Sequence, residues 1–330
     1  KEAFERDYKV YPEKGDILMT RIGDVGTTNV VETAKKVAFY VSLALLKPNG
    51  INSYFLSNAM KTNAFQKGLR ERTLVTAIPQ KINKDEIGKI DIFITNNDVE
   101  QQKIGAYFST LDHLITLHQR KCDQMKELKK YMLTKMFPQN GAKVPEIRFD
   151  GFIDDWEQRK LGDVVERVTR KNQDLVSQLP LTISAQYGLI DQNMFFDKRV
   201  ASKDVSGYYL IYNGEFAYNK STSSDAPWGA IKRLDRYENG VLSTLYIVFK
   251  IKNEKVINSD FLVTYYDTCN WHKDIKAVAA EGARNHGLLN IAPADFFKTE
   301  LMLPQDIEEQ KKIGSYFKLI DHLITLHQRK

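Results

Sequence analysis

The stretch from Ile104 to Lys121, IGAYFSTLDHLITLHQRK, returns almost unchanged from Ile313 to Lys330 as IGSYFKLIDHLITLHQRK. When the comparison starts at Glu100 and Glu309, 17 of 22 aligned residues are identical at a constant offset of 209. Identity over this length indicates duplication, and a repeat of this kind governs the interpretation of a whole fold. The chain is therefore interpreted first as a tandem repeat.

Fainter matches extend the repeat towards the N-terminus. In chain order they are GDILMTR from Gly15 with GEFAYNK from Gly214 (offset 199), YVSLALLK ending at Lys47 with STLYIVFK ending at Lys250 (offset 203), and INSYFL at Ile51–Leu56 with INSDFL at Ile257–Leu262 (offset 206). The preserved order indicates one ancestral unit duplicated in tandem. Most of the stretch 151–213 has no counterpart before Lys1, and the second helix stops early, so the sequence looks like a window from a longer two-unit protein. A processing event or an engineered truncation would explain these ends equally well.

Length and composition favour a two-domain cytoplasmic protein. The 330 residues suffice for two domains, and 42% hydrophobic with 27% charged residues is typical of soluble globular proteins. No apolar run reaches the length of a membrane span, no signal peptide opens the chain, and we expect no membrane partner. Cys122 and Cys269 are too few for a disulfide framework or a zinc site. The net charge of +6 permits a polyanionic partner without requiring one.

The repeated segment predicts a long amphipathic helix from about Asp98 to Met136. Apolar residues recur at alternating steps of four and three from Ile104 to Met125, which is heptad spacing. Such a helix cannot bury its own stripe, so we expect it to pair antiparallel with its second copy about a pseudo-twofold axis. The predicted packing residues are Ile104, Phe108, Leu111, Leu114, Ile115 and His118, with Ile313, Phe317, Ile320, Leu323, Ile324 and His327 in the second copy.

Between the helices, short runs such as EFAYN, VLSTLYIVFKI and IDIFIT combine β-branched and aromatic residues with flanking turn residues. The predicted class is α+β, with two mixed α/β domains joined by long helices that form an antiparallel coiled coil. The predicted divisions are a partial first domain at 1–97, a helix at 98–137, a linker at 138–150, a second domain at 151–306 and a shortened second helix at 307–330.

Enzyme motifs are missing from the sequence. It contains no GxxxxGK[ST], GxGxxG, GxSxG or HExxH motif and no Asn/Asp-Pro-Pro-aromatic tetrad of an amino-methyltransferase. EQK at Glu309–Lys311 has the spacing of a nuclease ExK but lacks its preceding acidic partner. His113 and His118 lie about 140° apart around the helix and cannot share a metal ion. We expect no catalytic residue, no metal and no cofactor on this chain.

Three polar loops of the second domain are candidates for nucleic-acid contacts. NKSTSSDAPWGAIKR (Asn219–Arg233), EGARNHGLLN (Glu281–Asn290) and ISAQYG (Ile183–Gly188) offer Lys and Ser for phosphates and Arg, Asn and Gln for base edges. Each loop alone is equally well explained as solvated surface. The candidate residues are Gln186, Tyr187, Asn219, Lys220, Ser221, Thr222, Ser223, Trp228, Lys232, Arg284, Asn285 and His286, with Thr20, Arg21, Arg70 and Arg72 as weaker counterparts in the first domain.

Two divergent domains, each followed by a nearly identical long helix, resemble the specificity subunit of type I restriction–modification enzymes. The strings MFPQNGAKVPEIRFDGFIDDWEQRKLGDV, AYNKS with GAIKRL, and GARNHGLLNI are similar to those of staphylococcal and other Gram-positive members. The resemblance covers essentially the whole chain. This chain departs from the family's pattern in two places: its first recognition domain lacks the N-terminal portion, and its second helix is shortened.

The resemblance implies a non-catalytic, DNA-binding function. Each domain would be a target recognition domain that reads one half of a split sequence in double-stranded DNA. The helices would set the distance between half-sites and dock two modification subunits, which would carry S-adenosylmethionine, and restriction subunits would join for cleavage. The alternative from another class is a structural adaptor that uses the helix pair for assembly and does not bind DNA.

Overall fold

The structure, a computed structural model, describes residues 10–184, 187–198, 200–224, 226–279 and 287–328. The chain divides into two compact units, Lys1–Arg120 and Lys121–Lys330. None of the described helices combines the length and apolar character needed to cross a membrane.

The first unit is built on a small antiparallel sheet. Its strands are β1 (Ile17–Thr20), β2 (Thr28–Val30) and β3 (Leu43–Leu46), in the order β2-β1-β3. The helices α1 (Ser53–Ala59), α2 (Asn63–Arg72) and α3 (Lys84–Ile87) follow, and then the long helix α4 (Asp98–Lys135), which continues into the second unit. Met19, Phe65, Leu69 and Ile82 form the centre of a core between the sheet and the helices.

The second unit contains a larger sheet and several hairpins. Its strands are β4 (Glu157–Lys160), β5 (Val165–Val168), β6 (Leu181–Ser184), β7 (Gly188–Asp191), β8 (Tyr209–Tyr212), β9 (Phe216–Asn219), β10 (Ala230–Arg233), β11 (Asn239–Leu242), β12 (Ile247–Ile251) and β13 (Glu300–Leu303). Its helices are α5 (Leu161–Val164), α6 (Gln192–Phe196), α7 (Ser259–Asp267), α8 (His272–Val278), α9 (Pro293–Phe296) and α10 (Ile307–Gln328). The main sheet has the order β10-β9-β12-β5, and β11-β8, β13-β4 and β6-β7 form two-stranded sheets.

The two sheets repeat one another in register, which confirms the duplicated mixed α/β fold predicted from sequence. The order β2-β1-β3 corresponds to β10-β9-β12. Ile17 faces Leu46 across β1 and β3, and Phe216 faces Phe249 across β9 and β12. These pairs are separated by the offsets of 199 and 203 that the faint sequence matches give. In the second unit, alternate residues of β9 face two different cores: Phe216 and Tyr218 lie in one, and Ala217 lies in the other. A slip of one residue would exchange these two faces, so core packing holds the register.

A capped helix follows the sheet in both units. The side chain of Asn52 accepts a hydrogen bond from the backbone N–H of Phe55 at 3.0 Å and begins α1. Asn258 does the same for Phe261 at 3.0 Å and begins α7. Asparagine is a strong N-cap because its side-chain oxygen satisfies one of the free N–H groups of the first turn.

In each unit, a buried glutamine of the long helix accepts a hydrogen bond from the backbone N–H of the cap asparagine. The side-chain oxygen of Gln101 accepts the backbone N–H of Asn52 at 2.9 Å, and that of Gln310 accepts the backbone N–H of Asn258 at 2.8 Å. Gln101 and Gln310 are 4% and 0% exposed. We call this pairing of a cap asparagine with a buried glutamine the Asn–Gln latch. It fixes the start of the repeated helix against its own domain.

One turn after each glutamine, a glycine allows the helices to touch. A Cβ atom at Gly314 would lie 2.8 Å from the backbone nitrogen of Phe261, and one at Gly105 would lie 2.9 Å from that of Phe55. No real Cβ atom tolerates such distances, so the backbones approach as closely as only glycine permits.

The second unit has an aromatic core into which both of its long helical segments extend. Phe137, just after α4, stacks on Phe261 with ring centroids 5.7 Å apart and meets Trp156 edge-on at 5.7 Å. Phe317 of α10 lies 6.3 Å from Phe137. All four rings are almost fully buried, and burial of such rings contributes much of the stability of a core.

The two copies of the helix stripe are buried to different extents within their own units. Phe108, Leu111, Leu114 and Ile115 are 37–54% exposed, so the first unit does not bury this part of the stripe on α4. His118 is also exposed, and Ile104 is half-buried. Their equivalents divide between buried Ile313, Phe317 and Ile320 and half-buried Leu323, Ile324 and His327. The buried three pack into the core of their own domain beside α7, because the latch brings the first turns of α10 onto that helix.

Helices α4 and α10 do pack together, as predicted, but through a later part of α4. Cys122 is 5% exposed, and its Sγ lies 4.0 Å from the carbonyl oxygen of Ile324. Lys129 forms an ion pair with Asp321 at 2.7 Å. The contact advances along α4 while it retreats along α10, so this segment of α4 runs antiparallel to α10.

We expect the substitution Gly314→Ala to lower the free energy of unfolding by about 1–3 kcal/mol, because the added methyl group must push α10 away from α7. The measurement is urea denaturation of the chain followed by far-UV circular dichroism.

Gly207→Ala is the matched control, since a Cβ there meets nothing within 4 Å and its φ lies outside the left-handed region. It should change the stability by no more than about 0.5 kcal/mol. Equal stability of the two variants would contradict the close contact between α7 and α10.

Candidate nucleic-acid interface

The first candidate loop, residues 220–229, joins two neighbouring strands of the main sheet. Strand β9 ends at Asn219 and β10 begins at Ala230, and Asn219 and Ala230 are direct partners across the strand pair. Phe216, Ala217 and Tyr218 are buried, so the strand is anchored by its side chains while the loop projects from its end. A rigid sheet with a polar loop at one edge is a common way to present binding residues.

The base of this loop is held from beneath. The hydroxyl of Tyr218 donates a hydrogen bond to the carbonyl oxygen of Trp228 at 2.8 Å, and burial raises the pKa of Tyr218. Gly229 has φ +78°, and a side chain there would overlap the carbonyl of Asn219. The two ends of the loop are therefore fixed relative to each other.

A second segment, which ends the second candidate loop, is hydrogen-bonded to the first. The backbone N–H and the hydroxyl of Thr222 both donate to the carbonyl oxygen of Gly287, at 2.6 and 2.9 Å. The backbone N–H of Leu289 donates to the carbonyl oxygen of Lys220 at 3.0 Å. Two loops that are distant in sequence thus form one surface, which we call the joined-loop surface (residues 219–224, 226–228 and 287–290).

The joined-loop surface presents small polar groups to solvent. Ser221 and Ser223 are exposed, while Asn219 and Thr222 are half-buried. The side chain of Asn219 accepts the backbone N–H of Ser221 at 3.0 Å, which turns the chain outward directly after β9. Hydroxyl and amide groups in such an arrangement suit contacts with phosphate oxygens and base edges.

Lys220 lies at the edge of this surface. It is half-buried, and its ammonium group donates to the carbonyl oxygen of Ile291 at 3.4 Å. Burial lowers the pKa of Lys220, because the charged form loses hydration there. An anion that approached Lys220 would replace some of that lost hydration.

Two residues predicted to contact DNA make close contacts within the protein. Trp228 is half-buried against the aromatic core, so its ring is not a free stacking platform. Lys232 forms an ion pair with Asp267 at 2.7 Å, and its side chain is 22% exposed. The sequence could not show this, because Asp267 is 35 residues away and is brought to β10 by the packing of α7.

The third candidate loop is the turn of the β6-β7 hairpin. Tyr187 is 56% exposed, and its backbone N–H donates to the hydroxyl of Ser184 at 3.3 Å. Gly188, the next residue, lines a cavity of about 870 Å³ together with Lys232. Four candidates, Gln186, Arg284, Asn285 and His286, lie outside the described residues.

In the first unit, Thr20 is the last residue of β1 and Arg21 follows it, and the two correspond to Asn219 and Lys220 at the end of β9. The backbone N–H of Thr27 donates to the Thr20 hydroxyl at 3.0 Å. Arg21 donates to the carbonyl oxygens of Val41 and Ile82 at 2.8 and 3.0 Å, so it ties together the segments around β1.

The other two candidates of the first unit differ in exposure. Arg70 in the last turn of α2 is exposed. Arg72 is half-buried and donates to the carbonyl oxygen of Gly68 at 3.2 Å. Arg21 and Arg72 are thus bound to backbone, and Arg70 is the more accessible cation.

Sequence reasoning missed a charge network in the second unit. The ammonium group of Lys129 lies 2.7 Å from carboxylate oxygens of both Asp267 and Asp321. Burial acts to lower the pKa of Lys129, but the two carboxylates outweigh it and hold the pKa above its ordinary value. Burial likewise acts to raise the pKa of Asp267, while Lys232 and Lys129 together hold it below its ordinary value. No local sequence motif predicts this network, because its four residues come from four separate elements, α4, α7, α10 and β10.

Among the described residues, no group of three or more His, Cys, Asp and Glu side chains could hold a metal ion.

Comparison with known proteins gives one family. The family model described as the type I restriction modification DNA specificity domain matches residues 1–127 and 153–330. No curated protein matches the sequence.

Among solved structures, the chain is similar to the S subunit of a type I restriction-modification system from M. genitalium. The TM-score is 0.62 at 15% identity, over 97% of this chain and 79% of that chain. The HsdS subunit from Thermoanaerobacter tengcongensis gives a TM-score of 0.45 at 14% identity, over 97% and 76% of the two chains. At 15% identity, the likeness to the M. genitalium subunit concerns the fold alone.

Proposed function

The chain belongs to the family of type I restriction modification DNA specificity domains, and on that premise we propose that it reads a split DNA sequence through one polar loop surface in each of its units. Members of this family provide DNA sequence recognition within a restriction–modification complex and do not carry out its catalysis. In this chain the polar loops at the strand ends would read the DNA, and the repeated helices would dock the partners.

The observation that carries the proposal is the joined-loop surface. Two loops, each of which could alone be ordinary solvated surface, are hydrogen-bonded to one another at the end of β9 through Thr222 and Gly287. Their exposed serines and the partly buried Lys220 form a polar, basic rim on a rigid sheet. This combination supports contacts of the second unit with phosphates and base edges of one half-site.

The repeated sheet supports a second half-site for the first unit. The strand end at Thr20 is the equivalent of the strand end at Asn219, and the sequences that follow the two strands have diverged. Divergent loops on an equivalent frame suit the reading of two different half-sites. Arg70 is the exposed cation that we assign to the first half-site.

The near-identity of the repeated helices supports docking of identical partners. Exposed Leu111, Leu114 and Ile115 form part of an apolar stripe on α4 that the first unit leaves uncovered. Exposed apolar patches of this kind are typical of interaction surfaces. On α10 the equivalent residues are buried or half-buried, so the shared sequence of the helices, and not this stripe alone, is what suggests two modification subunits. These subunits would bring S-adenosylmethionine, and restriction subunits would join the same complex.

A structural adaptor without DNA binding is the competing function. The exposed stripe on α4 is equally consistent with an adaptor, whereas an adaptor function does not account for the joined-loop surface. The two functions differ in their dependence on salt, because neutralisation of phosphates releases counterions and protein contacts of other kinds do not.

We expect Ser221→Asp to lower affinity for cognate duplex DNA about tenfold, since the new carboxylate would face phosphates at the joined-loop surface. The measurement is fluorescence anisotropy of labelled duplex, with the chain assembled on its modification subunits.

Lys255→Ala is the matched control, because it changes the net charge by the same amount at an exposed site far along the chain from the joined-loop surface. Lys255 follows the end of β12 at Ile251, whereas the start of β12 at Ile247 pairs with β9 next to that surface. Its affinity should stay within about twofold of the wild type if local charge rather than net charge matters. A similar loss in both variants would argue against the joined-loop surface as the contact site.

We expect a footprint of the assembled complex to show two short protected segments separated by an unspecified gap. Affinity should fall at least about 100-fold between about 50 and about 200 mM salt, which corresponds to roughly four neutralised phosphates. One continuous protected segment would refute the split reading, and a complex that shows no salt-dependent binding of DNA would favour the adaptor.

A further inference from the structure

Four charged side chains meet where the second domain rests on its helices. Lys129 of α4 lies 2.7 Å from Asp267 at the end of α7 and 2.7 and 2.9 Å from the two carboxylate oxygens of Asp321 in α10. Lys232 of β10 lies 2.7 Å from the other oxygen of Asp267. We call this set the Lys129 bridge. It joins the strand that follows the joined-loop surface to both helical segments of the unit.

The Lys129 bridge is largely withdrawn from solvent. The side chains of Lys129 and Asp267 are each 17% exposed, that of Lys232 is 22% exposed, and that of Asp321 is 48% exposed. The pairs of Asp267 with Lys129 and Lys232 are screened little by water and salt at this depth, and loss of Lys129 leaves a carboxylate with uncompensated charge. The geometry of the bridge is therefore sensitive to each of its members.

At the equivalent positions of the first unit, the contact is a direct ion pair. In the repeat, Asp267 corresponds to Lys61 at an offset of 206, and Asp321 corresponds to Asp112 at an offset of 209. Lys61 and Asp112 pair directly at 3.1 Å, with both side chains 45–59% exposed. In the second unit both positions are acidic and would repel one another, so a cation from α4 must lie between them. The two units thus share the latch but not the charge contact that follows it.

On the basis of the function proposed above, we propose that Lys129 is a positioning residue that fixes the orientation of the second recognition domain on its two helical segments, and thereby the gap between the half-sites that the protein accepts. Lys129 does not touch DNA in this proposal and acts through Asp267 and Asp321. The covalent path from Asp267 to the joined-loop surface is long, but the ion pair to Lys232 connects them directly through β10.

The first measurement concerns the protein without DNA. In Lys129→Met, no cation lies between Asp267 and Asp321. We expect their repulsion to weaken the packing of α10 on α7 near Asp321. Hydrogen exchange of the backbone amides near Asp321 should accelerate about tenfold. Lys126→Met is the control on the same helix, since Lys126 is exposed and its nearest carboxylate, Asp123, is 3.8 Å away. It should leave exchange unchanged.

The second measurement uses the chain assembled on its modification subunits. Random duplex DNA is selected for binding, and the selected sites are compared for half-site sequence and gap length. Wild type and Lys126→Met should select one gap length, whereas Lys129→Met should select two or more neighbouring lengths with both half-site sequences unchanged. Lys129→Arg, which keeps the charge, should restore a single length.

The outcomes separate positioning from other roles. A single gap length with Lys129→Met overturns the proposal, and so does a changed half-site sequence, because that result would make Lys129 a DNA contact. If Lys129→Met does not fold, Asp321→Asn decides, since it removes the more exposed carboxylate charge and should also broaden the gap lengths. A wild-type complex that selects no split site refutes the proposed function, while the exchange measurement still tests the bridge.

Discussion

The contact between a cap asparagine and a buried glutamine is the constraint on which the rest of this molecule depends. In each unit, the glutamine at the start of a long helix accepts the backbone N–H of the asparagine that begins a short helix. A buried amide must satisfy its hydrogen bonds, so this geometry admits little variation. The glycine one turn later lets the two backbones touch. The direction in which each long helix leaves its domain is set by these two residues.

Beyond the latch, the two units diverge in ways that match different tasks. The sheets keep one register, because a slip of one residue would move every side chain of a strand to the opposite face. The loops at the strand ends are polar and solvent-exposed, so their sequences can change without loss of the core. The charge contact after the latch has changed from one exposed pair, Lys61 with Asp112, to a buried bridge around Lys129. Conservation of frame with divergence of loops is what recognition of two different half-sites requires.

The repeated heptads have three different surroundings in the folded chain. The first turns of α10 pack into their own domain through Ile313 and Phe317, and the later turns contact α4 near Cys122. Much of the equivalent stripe of α4 in the first unit is exposed. One apolar periodicity therefore serves domain packing, helix pairing and an uncovered surface. A heptad pattern specifies that a face must be covered, and the tertiary structure decides what covers it.

The sequence by itself determined the duplication, the long helices, the mixed class and the polar loops, because each leaves a local or repeated pattern of residues. The offsets of 199 and 203 relate β1 to β9 and β3 to β12, whereas the pairing of β1 with β3 and of β9 with β12 came from the structure. The roles of Lys232 and Arg21 could not be predicted, because their partners, Asp267 and the carbonyls of Val41 and Ile82, are distant in the chain. The union of two loops through Thr222 and Gly287 was likewise decided by tertiary structure. Hydrogen bonds and ion pairs between distant residues depend on a few tenths of an ångström, and only the packed fold fixes positions that finely.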